Sequence, residues 1–226
     1  MIAARQIAFG GSAAKYTAAD YIQDGLIAMW DGIENAGWGR RDANATVWKD
    51  LVGGRDLTLT SLGSFSSDKA LVNAPGGIGA MRSDEVPGFG TLEVVFDAAS
   101  HSKFSTEYFI KLGTGFVFGK RNGVTNGDKN TSGGNYGMVS DLNVSTRGIA
   151  LWSLVRPSGV IMGEIWKNGV QLQLQILSVL GAKSTPMTLN AQTYENRFYT
   201  IRAYSRALTA EEIAYNYNID QARFGL

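Results

Sequence analysis

Two carboxylates in one short run have the residue types of a sugar-cleaving site. In Thr91–Asp97, Glu93 and Asp97 fall on the same side of a predicted strand, because successive residues point to opposite faces. Glycoside hydrolases use a pair of carboxyl groups, one as the acid and one as the base or nucleophile. Four residues of strand span about 13 Å, whereas retaining enzymes hold these groups about 5–5.5 Å apart. The spacing disfavours a glycosidase, and a solvated or hydrogen-bonded position on a sheet is the alternative for Glu93.

The one histidine, His101, is the candidate base of a catalytic triad. Its neighbours Ser100 and Ser102 would point away from it along a strand, which makes them poor partners. The chain has no cysteine, so thiol catalysis and disulfide bonds are excluded, and zinc is disfavoured. We therefore expect His101 to be a loop residue without a catalytic role.

One polar segment leaves calcium open. Asn126, Asp128 and Asn130 alternate in the most polar part of the chain and offer oxygen ligands, which calcium requires. The segment lacks the closing glutamate of an EF-hand loop. A polar turn without metal is the preferred interpretation, so no cofactor is predicted, with calcium as the alternative.

Two predicted loops have the composition of sugar-binding sites, which combine exposed aromatic faces with planar polar groups. The candidate ligand-binding residues are Trp38, Arg40, Arg41 and Asn44 in the first loop, and Asn122, Asn126, Asn135 and Tyr136 in the second. Packing in the core or at a sheet edge is the alternative for both aromatics. The other tryptophans fall on strand patterns and are expected in the core: Trp30, Trp48, Trp152 and Trp166.

Short alternating runs fill most of the chain and predict β-strands, so we expect strands to position these loops. Glycine is abundant at 28 residues and proline scarce at 4, which favours strands joined by tight turns. Asn168–Gly169 is typical of a hairpin turn. The predicted strands are Gly25–Trp30, Trp48–Leu51, Asp56–Thr60, Lys69–Val72, Gly77–Arg82, Thr91–Asp97, Glu107–Leu112, Gly115–Lys120, Tyr136–Ser140, Ile149–Val155, Val160–Trp166, Val170–Ile176, Pro186–Leu189 and Phe198–Tyr204.

A single helix is predicted after the last strand. Thr209 stands three residues before Glu212, the spacing of a capping box in which each side chain bonds the other residue's amide. Ile213 and Tyr217 give the helix an apolar stripe, and Gly225 is a stop signal.

Four segments carry a resemblance to a known family. They read DGLIAMWDGIENAG, WKDLVGGRDLTL, FGTLEVVFDA and IRAYSRALTAEEIAYNY. They resemble the laminin-G-like domains of the concanavalin A-like lectin/glucanase superfamily, of the kind found in phage, prophage and bacterial surface proteins. The resemblance implies an all-β protein: a two-sheet antiparallel β-sandwich, the concanavalin A-like jelly roll, with a short C-terminal helix. Glucanases of the superfamily carry Glu-x-Asp-x-Glu on one strand, and Val95 stands in place of the middle aspartate.

The sandwich is expected to occupy residues 24–226, after an N-terminal arm of residues 1–23. The opening of the arm resembles that of proteins in phage and prophage genomes, and it would dock on other virion proteins or on further copies of the chain. A frayed terminus is the alternative. The opening does not resemble a signal peptide, so synthesis in a bacterial cytoplasm is expected.

The charge totals limit the partners. Lys and Arg total 21 against 20 for Asp and Glu, so neither nucleic acid nor a membrane surface is an expected partner. No stretch approaches the roughly 20 apolar residues of a membrane span.

These features together favour a non-enzymatic structural or binding module. The preferred context is a phage virion-associated protein, such as a capsid decoration, head fibre or tail adhesion protein, which forms a homo-oligomer and meets a host glycan. The alternatives are a lectin-like carbohydrate-binding domain on a bacterial cell surface and, third, a divergent glycoside hydrolase.

Overall fold

The computed structural model describes residues 16–82, 84–85, 87–98, 107–112, 115–120, 148–159, 162–176, 186–191 and 194–226. In these residues the chain forms a 3-10 turn (Ala18–Asp20), a set of β-strands and one C-terminal helix, α1 (Ala210–Phe224). The strands are β1 (Leu26–Asp31), β2 (Val47–Trp48), β3 (Leu57–Leu59), β4 (Gly63–Phe65), β5 (Leu71–Asn73), β6 (Gly77–Arg82), β7 (Thr91–Ala98), β8 (Glu107–Leu112), β9 (Gly115–Lys120), β10 (Ala150–Val155), β11 (Met162–Lys167), β12 (Val170–Ile176), β13 (Met187–Ala191) and β14 (Asn196–Tyr204).

The strands pair into two antiparallel sheets, which confirms the predicted two-sheet β-sandwich. Among the described residues, the larger sheet has eight strands in the order β12-β11-β10-β7-β14-β5-β4, with β1 also paired to β14. In the same ranges, the smaller sheet has six strands in the order β2-β3-β6-β13-β8-β9. The nine residues of β14 pair with β7 along most of their length, with β5 at the start and with β1 at the end. This strand therefore joins three neighbours at the centre of the larger sheet.

The main hydrophobic core lies between the two sheets. The predicted core positions Trp30, Trp48 and Trp152 are fully buried in it, whereas Trp166 is partly buried. Phe96 of β7 packs against Phe198 of β14, with ring centroids 5.0 Å apart. Alternation along each strand directs these side chains inwards, as the sequence pattern predicts.

The turn after β2 is held by one carboxylate. Asp50 accepts hydrogen bonds from the backbone amides of Met29 (2.9 Å), Val52 (3.0 Å), Gly53 (3.1 Å) and Arg55 (2.9 Å). The Trp30 indole donates to the Arg55 carbonyl at 2.9 Å. The WKDLVGGRD segment therefore has a structural role, since it fastens the turn to β1.

The helix begins and ends as predicted. The Thr209 hydroxyl accepts from the Glu212 amide at 3.3 Å, and the Glu212 carboxylate accepts from the Thr209 amide at 2.9 Å. Gly225 ends the helix in the left-handed region, at φ 76°. The buried helix residues include Ile213 and Ile219, which pack in a second apolar cluster with Met29 and Tyr204. This cluster lies on the outer face of the larger sheet, so α1 covers that face.

The structure adds two elements to the sequence prediction. Strand β4 is only three residues long and reads Gly-Ser-Phe, which is too short to show alternation. The 3-10 turn has its own capping box, in which Thr17 and Asp20 satisfy each other's amides. The predicted strand Tyr136–Ser140 lies outside the described residues.

Part of the predicted N-terminal arm is described, and this part packs on the sandwich. Residues 16–23 include Ala18 and Tyr21, which are 0% and 2% exposed. The Tyr21 hydroxyl donates to Asp220 of α1 at 2.6 Å. Residues 1–15 lie outside the described residues. Across the described ranges, no helix has the length and apolar character needed to cross a bilayer.

Candidate functional site: the Trp38 loop

The first predicted sugar-binding loop connects β1 to β2, and we call residues 32–44 the Trp38 loop. Its tip exposes Trp38, which is 46% accessible, and Arg40. Gly39 separates these two residues and has φ 65°, while Gly37 has φ 123°. Both angles favour glycine, because a β-carbon is strained in this region. The loop therefore presents an indole and a guanidinium on either side of a tight backbone turn.

The backbone of the loop is closed by hydrogen bonds. The Asn35 side-chain amide donates to the Asp42 carbonyl at 2.7 Å, and its oxygen accepts from the Asp42 amide at 2.8 Å. Within this ring, the Ala36 amide donates to the Arg40 carbonyl at 3.1 Å. Asn35 is fully buried, so it acts as an internal clasp. Because the backbone of the loop is already ordered by these hydrogen bonds, little conformational entropy of the backbone is lost when a ligand binds.

Arg41 has a structural role in the same loop. Its guanidinium donates to the carbonyls of Gly32 and Ser66, which ties the Trp38 loop to the turn between β4 and β5. The Asn44 side chain is exposed, and its backbone amide donates to Asp42 at 2.8 Å. Of the four candidates in this loop, Trp38 and Arg40 are exposed and stand two residues apart in sequence, and Arg41 anchors the base.

The second predicted site lies outside the described residues, together with its candidates. This applies to Asn122, Asn126, Asn135 and Tyr136, to the calcium alternative at Asp128 and Asn130, and to His101. These assignments stay predictions. In the part of the chain that the structure describes, no group of three or more His, Cys, Asp or Glu side chains could hold a metal.

A charged cluster that the sequence did not predict lies beyond Arg41. Asp68 accepts a hydrogen bond from the Arg197 guanidinium at 2.6 Å and one from the Tyr199 hydroxyl at 3.2 Å. Burial and the Asp68 charge raise the pKa of Tyr199 to about 12. Because the Ser66 hydroxyl also donates to Asp68, this cluster is connected through Ser66 to the Trp38 loop. Arg197 and Tyr199 are 129 and 131 positions from Asp68 in sequence, so local sequence patterns do not predict this cluster.

Glu93, the carboxylate considered above for glycoside hydrolysis, lies on the outer face of the larger sheet beneath α1. It is 0% exposed and accepts hydrogen bonds from Arg202 (2.9 Å), Asn216 (2.8 Å) and Ser153 (3.0 Å). Burial raises the pKa of Glu93, while the Arg202 charge opposes that rise. These three bonds support the hydrogen-bonded alternative for Glu93. A carboxylate covered by a helix also cannot reach a sugar chain.

Solved structures share the fold of this chain. A Trypanosoma rangeli sialidase in complex with sialic acid is 16% identical, with a TM-score of 0.56 over 99% of this chain and 36% of that chain. A T. rangeli sialidase mutant displaying trans-sialidase activity is 15% identical, with a TM-score of 0.54 over 89% of this chain and 34% of that chain. The botulinum neurotoxin serotype D ligand-binding domain, in complex with N-acetylneuraminic acid, is 11% identical, with a TM-score of 0.57 over 86% of this chain and 51% of that chain.

The comparison supports a sandwich fold that also occurs in sugar-binding proteins. This chain spans about a third of the length of the sialidase chains and about half of the toxin domain. Identities this low show the fold alone. No protein-family model and no curated protein matches the chain.

The same comparison corrects the prediction that the protein is not an enzyme. The parts that match this chain are 36% and 34% of two chains named as sialidases, so the fold does not separate this chain from enzymes. The prediction depended on the missing carboxylate pattern around Val95 and on the wide spacing of Glu93 and Asp97. Sialidases use a tyrosine nucleophile instead of the usual carboxylate pair, so a broken pair does not exclude sugar hydrolysis.

Proposed function

We propose that this protein is a carbohydrate-binding β-sandwich and that the tip of the Trp38 loop contacts the sugar. The observation that carries the proposal is the pairing of Trp38 and Arg40 on either side of Gly39 in a hydrogen-bonded loop. An exposed indole provides a flat apolar surface for the C–H face of a sugar ring, and an adjacent guanidinium provides several donors for its oxygens. Arg40 forms no ion pair with another described residue, so its charge is available to a ligand.

The ligand class that we favour is a sugar acid of the sialic acid type. Two of the similar structures hold sialic acid or N-acetylneuraminic acid. Such a sugar combines an apolar ring face with a carboxylate, and arginine binds carboxylates through two parallel hydrogen bonds. The Trp38–Arg40 pair offers a complementary group for each part.

The family and biological context that we propose follow from the sequence resemblance. We assign the sandwich to the laminin-G-like domains, which is supported by the Asp50 turn and the capped C-terminal helix. We further propose an adhesion role on a phage particle, or else on a bacterial surface, in which the N-terminal arm joins the sandwich to other subunits. Residues 16–23 already pack on the sandwich, so the anchoring part would lie within residues 1–15.

The test of the proposed site is a glycan array probed with the wild-type protein and with Trp38→Ala. We expect the wild type to retain sialylated glycans and Trp38→Ala to lose at least about tenfold in affinity, since aromatic anchors dominate such sites. The matched control is Tyr215→Ala, because Tyr215 is an equally exposed aromatic (48%) on the surface of α1. Both variants should keep the wild-type melting temperature, since both side chains are largely exposed.

The same experiment can contradict the proposal. Equal retention of glycans by the wild type and by Trp38→Ala would place the binding site elsewhere. A wild-type protein that retains no glycan at all would overturn carbohydrate binding itself. If Arg40→Gln lost sialylated glycans and neutral glycans alike, the sugar-acid class would be wrong, while the loop would still be the site.

A further inference from the structure

We propose that Glu34 and Arg223 are positioning residues through which the C-terminal helix sets the geometry of the Trp38 loop. The inference deepens the proposed function and rests on it for its ligand. Neither residue is exposed: Glu34 and Arg223 are each 6% accessible. They therefore act on a ligand only through the loop backbone.

Glu34 connects three segments with one carboxylate. Its Oε2 accepts the Gly39 amide at 2.8 Å, and this amide belongs to the peptide group that joins Trp38 to Gly39. Its Oε1 accepts the Ala18 amide at 2.8 Å and the Arg223 guanidinium at 3.2 Å. One oxygen of Glu34 thus holds the loop tip, while the other accepts hydrogen bonds from the helix and from the 3-10 turn.

Arg223 joins this carboxylate to the end of β1. Its guanidinium donates to the two oxygens of Asp31 at 2.7 and 3.1 Å, as well as to Glu34. Asp31 in turn accepts the amides of Ile33 (2.8 Å) and Glu34 (3.0 Å), which begin the Trp38 loop. The last turn of α1 therefore fixes both the start of the loop and, through Glu34, its tip.

The burial of these charges makes the arrangement specific. A buried carboxylate or guanidinium is costly unless it is paired and hydrogen-bonded, so displacement of the loop would leave charges unsatisfied. Three buried charges, on Asp31, Glu34 and Arg223, are paired with one another only when the helix end and the loop are both in place. The network thus holds the peptide group that joins Trp38 to Gly39 in one position.

The experiment compares Glu34→Gln with the wild type in two measurements. The first is amide hydrogen exchange of the peptide that contains Gly39, and the second is the affinity for N-acetylneuraminic acid. Glutamine has the same shape but one acceptor oxygen, so it cannot serve both the Gly39 amide and the helix side. We expect exchange of the Gly39 amide to rise about tenfold, in the manner of a local opening, and affinity to fall about tenfold. The matched control is Glu212→Gln, which weakens the start of the same helix without touching the loop.

A second variant tests whether Arg223 acts through Glu34. Arg223→Lys keeps the charge but cannot bond Asp31 and Glu34 in the same planar way. We expect it to raise Gly39 exchange in the wild-type background and to add little in the Glu34→Gln background. Additive effects in the double variant would show that the two residues act separately and would overturn the proposed connection.

The readouts separate failure of this inference from failure of the proposed function. Unchanged Gly39 exchange in folded Glu34→Gln, or an equal rise in Glu212→Gln, would overturn the positioning role even if the protein binds sugar. If Gly39 exchange rises in Glu34→Gln but not in Glu212→Gln, while the wild-type protein binds no glycan, the positioning role is supported and the proposed ligand is wrong.

Discussion

The two faces of β14 differ sharply in what they bury. Ile201 and Ala203 point into the apolar core between the sheets. Thr200, Arg202 and Tyr204 alternate with them and point to the outer face, where they are also fully or nearly fully buried. The inner face is held by apolar packing alone, while the outer face combines an apolar cluster with hydrogen bonds and ion pairs beneath α1.

The outer face is centred on one guanidinium. Arg202 bonds Asp220 of α1 through two hydrogen bonds of 2.7 Å and bonds Glu93 of β7 at 2.9 Å. Its guanidinium carbon also lies 4.0 Å from the centre of the Tyr21 ring. Apolar packing tolerates small shifts of one layer against another, whereas these bonds are satisfied in one register. We infer that the hydrogen bonds of the outer face fix how the helix sits on the sheet.

The largest expected effect follows from removing that guanidinium. Arg202→Met leaves the carboxylates of Glu93 and Asp220 buried without their cation, which should cost about 3–5 kcal/mol of the free energy of unfolding. Chemical denaturation at neutral pH measures the loss. The deficit should shrink as pH falls, because a protonated Glu93 no longer carries a buried charge, and its pKa is already raised by burial.

The matched control is the neighbouring residue on the other face. Ile201→Val removes one buried methylene and should cost about 0.5–1.5 kcal/mol, with no dependence on pH. A cost for Arg202→Met no greater than that of Ile201→Val would contradict the contrast between the faces. It would mean that water reaches the outer network and that the helix seals it poorly.

Sequence reasoning predicted the inner face well, because that face depends on local patterns. Alternation located most strands, and the strand positions of Trp30 and Trp152 placed both residues in the core. Short elements were not predicted: β4 has only three residues, and it is recognised as a strand only through its pairing with β5. The capped helix was predicted because Thr209 and Glu212 are close in sequence.

The outer face and the candidate site could be predicted only in part. Composition singled out Trp38 and Arg40, but it could not show that Arg41, which is also exposed, donates to two carbonyls and so differs from Arg40. Glu34 and Arg223 were missed because they are 189 positions apart and meet only after β14 and α1 have packed. Glu93 was expected to be either solvated or hydrogen-bonded, and the sequence could not decide between the two because its partner Arg202 is 109 positions away.

The smallest expected effect concerns the rim of the outer face, by which we mean Arg206 and Glu212 at the start of α1. Glu212 accepts two hydrogen bonds from Arg206, at 2.6 and 2.7 Å, and these lower its pKa, although partial burial opposes the change. A carboxylate with a lowered pKa stabilises the fold above its ordinary value of 4.5, and this contribution is lost as pH falls through the lower folded value. The pair is partly exposed, so we expect only about 0.5 kcal/mol.

Subtracting the stability of Glu212→Gln from that of the wild type at each pH isolates this contribution. Buried acids such as Asp31 and Glu93 have raised pKa values and change stability in the opposite sense, but they are common to both proteins and cancel. The difference should be constant at neutral pH, should begin to fall near pH 4.5 and should vanish below the lowered pKa of Glu212 in the folded protein. A difference that persists in acid would show that the capping geometry at Thr209, and not the Glu212 charge, holds the start of the helix. The rim would then be held by neutral hydrogen bonds, and only the centre of the outer face would depend on ion pairs.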